Sequence, residues 1–184
     1  MSIMPGDNYE GGIHAVDALL KSPCSEWKLL NAGNPAVAER VTSKEHSYAY
    51  LSGGITSIPR SGTLKEAGVT SVDAVITVIT KSETVSTVWV ASKLRGKGYG
   101  KALYELAHAR ARTHLMSSDD LGTMSLAVWL SLYAKHPSIL IRLDGIRKVP
   151  RSRVKIKNLT IEVEGEEYPL TDSNGPDFKF WWPK

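Results

Sequence analysis

The sequence predicts an α/β fold: a single domain over residues 1–184, with a mixed, mostly antiparallel sheet flanked by helices. Three observations carry this. Ser71 to Thr80 (SVDAVITVIT) is dense in β-branched residues and reads as a strand. Thr84 to Ala91 follows the turn Lys81-Ser82-Glu83 as its antiparallel hairpin partner, with Val88-Trp89-Val90 at its end. Arg95-Gly96-Lys97-Gly98-Tyr99-Gly100 then alternates glycines with longer side chains. From Lys101 the period changes, and Leu103, Leu106, Ala107, Arg110, Ala111, His114 and Leu115 recur at spacings of three and four, one face of a helix.

The elements follow in order. Residues 1–12 are rich in turn formers. Ile13 to Lys21 predicts a short helix stopped before Pro23. Ser25 caps a second predicted helix, Glu26 to Asn31, ended by Gly33. A third helical piece is expected after Asn34-Pro35, with Pro35 in its first turn. His46 to Leu51 reads as a strand closed by Gly53-Gly54, and residues 52–71 as turn and loop. After the central helix, Leu115-Met116-Ser117 forms a short strand. Thr123 or Ser125 caps a helix over Leu126 to His136, with Leu126, Trp129, Leu130 and Tyr133 as its apolar stripe and Pro137 as its stop. Ile139 to Leu143, Val154-Lys155-Ile156 and Leu159 to Val163 read as further strands, with a turn at Gly165. The tail over 171–184 ends in Phe178-Lys179-Phe180-Trp181-Trp182-Pro183 and must dock, because exposed aromatic clusters are costly.

Composition narrows the function classes. The chain has 184 residues and 42% hydrophobic content, with no long apolar run, so neither disorder nor a membrane span is expected. The start, Met1 to Asp7, has neither a basic region nor an apolar stretch, so no signal peptide is read there. Cys24 is the only cysteine, which excludes internal disulfides and suits a reducing, cytoplasmic setting; the residue reads as packing rather than as a nucleophile. Charge is uneven. Residues 1–92 hold 7 Lys/Arg and 9 Asp/Glu, and residues 93–184 hold 16 and 10, so an anionic ligand or partner is expected to meet the second half.

The turn itself has the chemistry of an anion cradle. Glycines let the backbone turn tightly and approach a ligand. The first amides of a helix lack internal partners, and the helix dipole adds positive charge there, which suits a pyrophosphate. Arg95, Lys97 and Lys101 surround it with cations. The run ends Gly100-Lys101-Ala102, without the hydroxyl of a P-loop, and its glycines are spaced Gly-x-Gly-x-Gly, not as in a dinucleotide fingerprint. The spacing Arg-x-x-Gly-x-Gly at Arg95, Gly98 and Gly100 resembles the acetyl-CoA motif of the GNAT N-acetyltransferase family. The preceding strand and following helix match that family too. The order of elements over about 45–170 is similar, and residues 84–136 carry the likeness. Ser118-Asp119, Thr123 and Trp129 look like a phage and bacterial subset of the family.

The resemblance implies a fold, a co-substrate and roles. Val88, Trp89 and Val90 would face the pantetheine arm of acetyl-CoA. Arg95, Gly96, Lys97, Gly98, Tyr99, Gly100 and Lys101 would hold its pyrophosphate. A backbone amide near Val90 would polarise the acetyl carbonyl. Tyr133 sits where the family's general acid to the thiolate would sit; a core tyrosine is the competing reading. Glu83 and Asp119 are the candidate bases. The family's usual asparagine after the short strand has no clear counterpart, and its Gly-Phe pair is replaced by His136-Pro137. These departures fall on the acceptor side, so the amine acceptor, small molecule or protein, stays open.

His108 and His114 read as solvated or half-packed, and His136 as a cation suited to a helix C-terminus. No spacing predicts a metal site; Asp119-Asp120 alone lacks the further oxygen ligands. Two other functions remain in view. One is a GNAT-like domain that has lost catalysis and serves as a binding or structural module. The other is nucleic-acid binding through the segment Arg142 to Lys157, which holds seven Lys/Arg against the single acid Asp144. Basic runs are more often solvated faces, and this one has no interleaved aromatics for base stacking, so nucleic acid is the weaker alternative. The aromatic tail could serve a homodimer contact as well as a core.

Overall fold

The structure is a computed structural model that describes residues 16–118, 121–143, 147–157, 160–169 and 178–184. The chain is α/β, with a large mixed sheet, and its residues fall into two compact units. One comprises Met1–Thr80 and Thr87–Leu106, the other Lys81–Ser86 and Ala107–Lys184.

In the first unit, residues 16–20 form a helical stretch (α1) and Cys24–Glu26 a short 3-10 turn. Five strands follow: β1 (Trp27–Asn31), β2 (Ala36–Val41), β3 (Glu45–Ser52), β4 (Ser71–Ile79) and β5 (Thr84–Val90), which enters this unit at Thr87; they are neighbours in that order. β1 through β4 pair antiparallel. Two expected helices are therefore strands. Glu26 to Asn31 and the stretch after Pro35 are rich in helix formers, but their residues pair Trp27 with Arg40 and Ala38 with Ala49. Ala36 and Ala38 are buried and Val37 is half-buried, which is the period of a strand; cross-strand packing overrides local propensity here.

One face of this sheet buries Trp27, Ala36, Ala38, Ala49, Leu51, Val72 and Val75 against Leu19 of α1 and Leu64 and Val69 of the long loop. Cys24 lies in the same core at 1% exposure; burial, with Glu66 nearby, pushes its thiol above the usual range, so it stays an inert thiol.

β5 leads through a 3-10 turn, Ser92–Leu94, into α2 (Tyr99–Arg110). Leu103, Tyr104 and Ala107 are its buried positions. The helix stops at Arg110, before the expected Ala111 and His114, because residues 114 onward are already strand.

The second unit holds β6 (His114–Met116), α3 (Thr123–Lys135), β7 (Leu140–Leu143), β8 (Arg147–Val149), β9 (Val154–Lys157), β10 (Thr160–Val163), β11 (Glu166–Pro169) and β12 (Phe178–Pro183). Thr84, whose residue belongs to this unit, pairs parallel with Met116. Phe178–Pro183 of the tail form strand β12, set antiparallel between β6 and β7, with β8 beyond β7. β9, β10 and β11 make a separate antiparallel sheet.

Phe180 and Trp182 of β12 are buried, and the Trp129 ring of α3 stacks on Phe180 at 5.5 Å. Leu126, Trp129, Leu132 and Tyr133 form the buried stripe of α3; Leu132 takes the place expected for Leu130. The helix begins at Thr123 behind Gly122, with no side-chain cap, so neither Thr123 nor Ser125 is the N-cap residue. Among the described residues no helix is long and apolar enough to cross a membrane.

Candidate functional site

Val88 to Lys101 lie in the first unit, and Glu83 and Tyr133 in the second. Asp119 lies outside the described residues.

At the end of β5 the Ala91 N–H donates to the Asp73 carbonyl of β4 at 2.9 Å. Successive residues of an extended chain direct their backbone groups to opposite edges, so the N–H and C=O of Val90 leave by the edge away from β4. The Val90 carbonyl accepts there from Arg95 Nε at 3.2 Å, which folds the arginine back over the turn. Asp73, buried at 5%, takes the hydroxyls of Ser52 and Ser71 at 2.5 and 2.9 Å and so anchors the strand that receives Ala91. The sequence offers no signal for that duty beyond a lone acid in an apolar run.

Trp89 turns to the first unit's core, where its Nε1–H is buried without a partner; Val88 and Val90 alternate to the other face.

The turn has the backbone that its glycines allow. Gly96 and Gly98 have φ of 75° and 88°, values that side chains rarely adopt. A Cβ at either position would meet nothing within 4 Å. Conformation, not crowding, therefore calls for glycine, and the turn presents an open backbone face. The first intrahelical bond of α2 runs from Ala102 N–H to the Gly98 carbonyl at 3.0 Å, so the amides before Ala102 precede the ladder of the helix. Lys97 is exposed, and Arg95 and Lys101 are half-buried. This backbone, with its dipole and cations, fits a pyrophosphate.

Tyr50 of β3, which sequence reasoning passed over, meets Tyr99 edge-on at 4.9 Å at the start of α2. Burial, and then Tyr99, raise its pKa, so the phenol is neutral at physiological pH. A strand residue 49 positions before its partner leaves no local trace of that contact.

Glu83 stands at the foot of β5 in the left-handed region, φ 51°. Its carboxylate accepts from the amides of Arg112, Thr113 and His114 and from the Thr113 hydroxyl at 2.6 Å. Burial alone would raise its pKa; these donors outweigh burial and hold the carboxyl below its usual range. The residue is thus a clamp on the turn between α2 and β6, with its acceptor capacity engaged.

Tyr133 is 6% exposed. Its ring meets Phe180 edge-on at 6.0 Å and carries the Arg151 guanidinium 3.7 Å from its centroid. Burial raises its pKa, and the Arg151 charge offsets only part of that, so the phenol holds its proton at neutral pH.

The basic segment is largely spent within the second unit. Arg147 and Arg153 share Glu164, and Lys155 pairs with Glu162 at 3.0 Å. Arg151 donates to the carbonyls of Tyr133, His136 and Ile139. Among the described residues no three His, Cys, Asp or Glu side chains are grouped to hold a metal.

No protein-family model matches the chain, and no curated protein matches it. Among solved structures it is similar to the crystal structure of nourseothricin acetyltransferase, at 14% identity and a TM-score of 0.39, over 100% of this chain and 96% of that one.

Proposed function

We propose that the chain is an acyl-CoA-dependent N-acetyltransferase that uses acetyl-CoA as co-substrate and an amine as acceptor. The observation that carries this reading is the unit β5–turn–α2: two left-handed glycines open the backbone immediately before a 12-residue helix, with the motif arginine tied to the strand. When bound, acetyl-CoA supplies the activated acetyl group. The amides of Gly98, Tyr99 and Gly100, with the side chains of Lys97 and Lys101, hold its pyrophosphate. The Val90 N–H, on the edge away from β4, is the proposed donor to the acetyl carbonyl. Tyr133 is the residue proposed as acid to the leaving sulfur, and burial keeps its phenol protonated at neutral pH. The acceptor loses its own proton to solvent or to Asp119.

Calorimetry with acetyl-CoA on the full chain tests the reading. Saturable heat and a raised melting temperature are expected, because a ligand that binds only the folded state stabilises it by mass action. No heat and no thermal shift at millimolar acetyl-CoA would overturn it.

A further inference from the structure

We propose that the second unit carries a subsite for one phosphate monoester group, gripped by Arg142 and Lys148 beside the ring of Trp181. The strands β12, β7 and β8 are neighbours, and their register is fixed. Phe180 and Trp182 are buried on one face of β12, so Trp181 alternates to the other, where it is half-buried. Arg142 of β7 is the direct register partner of Lys148 of β8. Their charges come to 4.1 Å and 4.4 Å from the same indole centroid. Register and ring contact thus bring both charges to one indole, and the proposed anion bridges them.

The local charge balance favours such a group. Like charges directly opposite on neighbouring strands repel, and an aromatic ring offsets only part of that. Arg147, Arg153 and Lys155 have carboxylates, whereas among the described residues Arg142 and Lys148 have none. Arg142 Nε is buried without a hydrogen-bond partner. Two cations, one of them a planar fork of donors, match a phosphate monoester, which carries between one and two negative charges at neutral pH. The same balance argues against an extended nucleic acid, which needs a strip of unpaired cations along its backbone; here the flanking cations are already paired. This subsite lies apart in sequence from the glycine turn and does not depend on the acetyltransferase reading.

The test uses the full chain and the indole Nε1–H signal of Trp181, assigned by comparison with Trp181→Phe. Inorganic phosphate and phosphoserine are titrated at constant ionic strength, with acetate as comparator and an oligothymidylate as a separate arm. The phosphates are expected to move the signal saturably and acetate is not. Lys148→Gln, at an exposed position, is expected to weaken phosphate about tenfold and to leave the ligand-free protein as stable as before or more so. Arg142→Lys, which keeps the charge and loses the fork, is expected to weaken it as well. An absent or non-saturating response, an equal response to acetate, or phosphate binding unchanged in both variants overturns the proposal. So does an oligothymidylate that binds more tightly than phosphate with a steep salt dependence.

Discussion

The guanidinium of Arg151 lies 3.7 Å from the ring centroid of Tyr133 and donates to the main-chain carbonyl of the same residue at 2.6 Å. It reaches on to the carbonyls of His136 and Ile139, at 3.4 and 2.9 Å. The last carbonyls of a helix have no internal partner, and a cation suits its negative end. Arg151 therefore closes α3 and fixes the tyrosine ring at once. Arg151→Ala leaves these carbonyls without that donor and the ring without its cover. A loss of about 2 kcal/mol is expected in urea unfolding, on the scale of hydrogen bonds from a charged donor.

Tyr133→Phe separates chemistry from packing. The phenylalanine keeps the edge-on contact with Phe180 and the stack under Arg151, and removes only the hydroxyl. If that hydroxyl delivers the proton, turnover falls on the order of a hundredfold, the usual scale for one general acid. Acetyl-CoA affinity and melting temperature are expected to hold. Steady-state rates with any accepted amine, beside calorimetry, check this; turnover retained within about twofold removes Tyr133 from the chemistry.

Gly98 divides strain from occlusion. Its φ of 88° suits glycine, but a Cβ there would meet nothing within 4 Å. Gly98→Ala is expected to cost about 1 kcal/mol of stability, the scale of left-handed strain, with acetyl-CoA binding reduced but measurable. Gly98→Asp carries the same strain plus a negative charge beside the proposed pyrophosphate. Its stabilisation by acetyl-CoA is expected to vanish. Thermal shifts of the two variants with and without acetyl-CoA distinguish these outcomes.

What was legible in the sequence was what local pattern determines. β4, β5, the turn and α2 follow from β-branched runs, glycine spacing and a change of period; all four form, though α2 ends at Arg110, short of the expected Leu115. β1 and β2 were not legible, because Trp27–Asn31 and Ala36–Val41 have helical local preference and become strands only by pairing with each other and with β3. The aromatic tail announced that it must dock, but not that it would enter the sheet between β6 and β7. The basic run from Arg142 to Lys157 showed its charge but not its partners. Glu162 and Glu164, seven and eleven residues beyond Lys155 and Arg153, take up its cations only once β9 and β10 pair. Tyr50, Asp73 and the Arg151–Tyr133 pair were hidden for the same reason: each contact joins distant stretches of chain.

Glu83 gives a first pH dependence. Its carboxylate is the acceptor for the amides of Arg112, Thr113 and His114, and its folded pKa lies below 4.5. A depressed carboxylate contributes stability above its unfolded value, and loses it as pH falls through the folded value. Glu83→Ala strands those donors. It is expected to cost about 1 to 3 kcal/mol at neutral pH and progressively less as pH falls from 4.5 through the lower folded value, below which the wild-type carboxyl is protonated. Urea unfolding of both proteins at several pH values reads the difference; a constant gap across the range would show that the clamp contributes nothing by charge.

His108 gives a second window, at higher pH. Its ring stacks on Trp182 at 3.9 Å, nearly parallel, and its Nε2 is 2.8 Å from the Pro183 carbonyl. A carbonyl only accepts, so Nε2 carries the proton of the neutral ring and Nδ1 is the site left to titrate. Burial lowers the pKa; the Pro183 carbonyl opposes this, and the charges of Lys184 and His136 add to the lowering. The folded pKa thus lies below 6.5, so the unfolded chain takes up the proton first as pH falls. By linkage the contribution is full above about pH 6.5 and is lost as pH drops towards the folded value. The expected result is a melting temperature that declines between pH 7 and pH 5, before carboxylates begin to titrate. His108→Phe keeps a ring on Trp182 and cannot be charged. It is expected to be less stable at pH 7, for want of the Pro183 hydrogen bond, yet to show a flatter profile. Melting curves of both proteins at half-unit steps decide it; parallel profiles would place the acid sensitivity on another group.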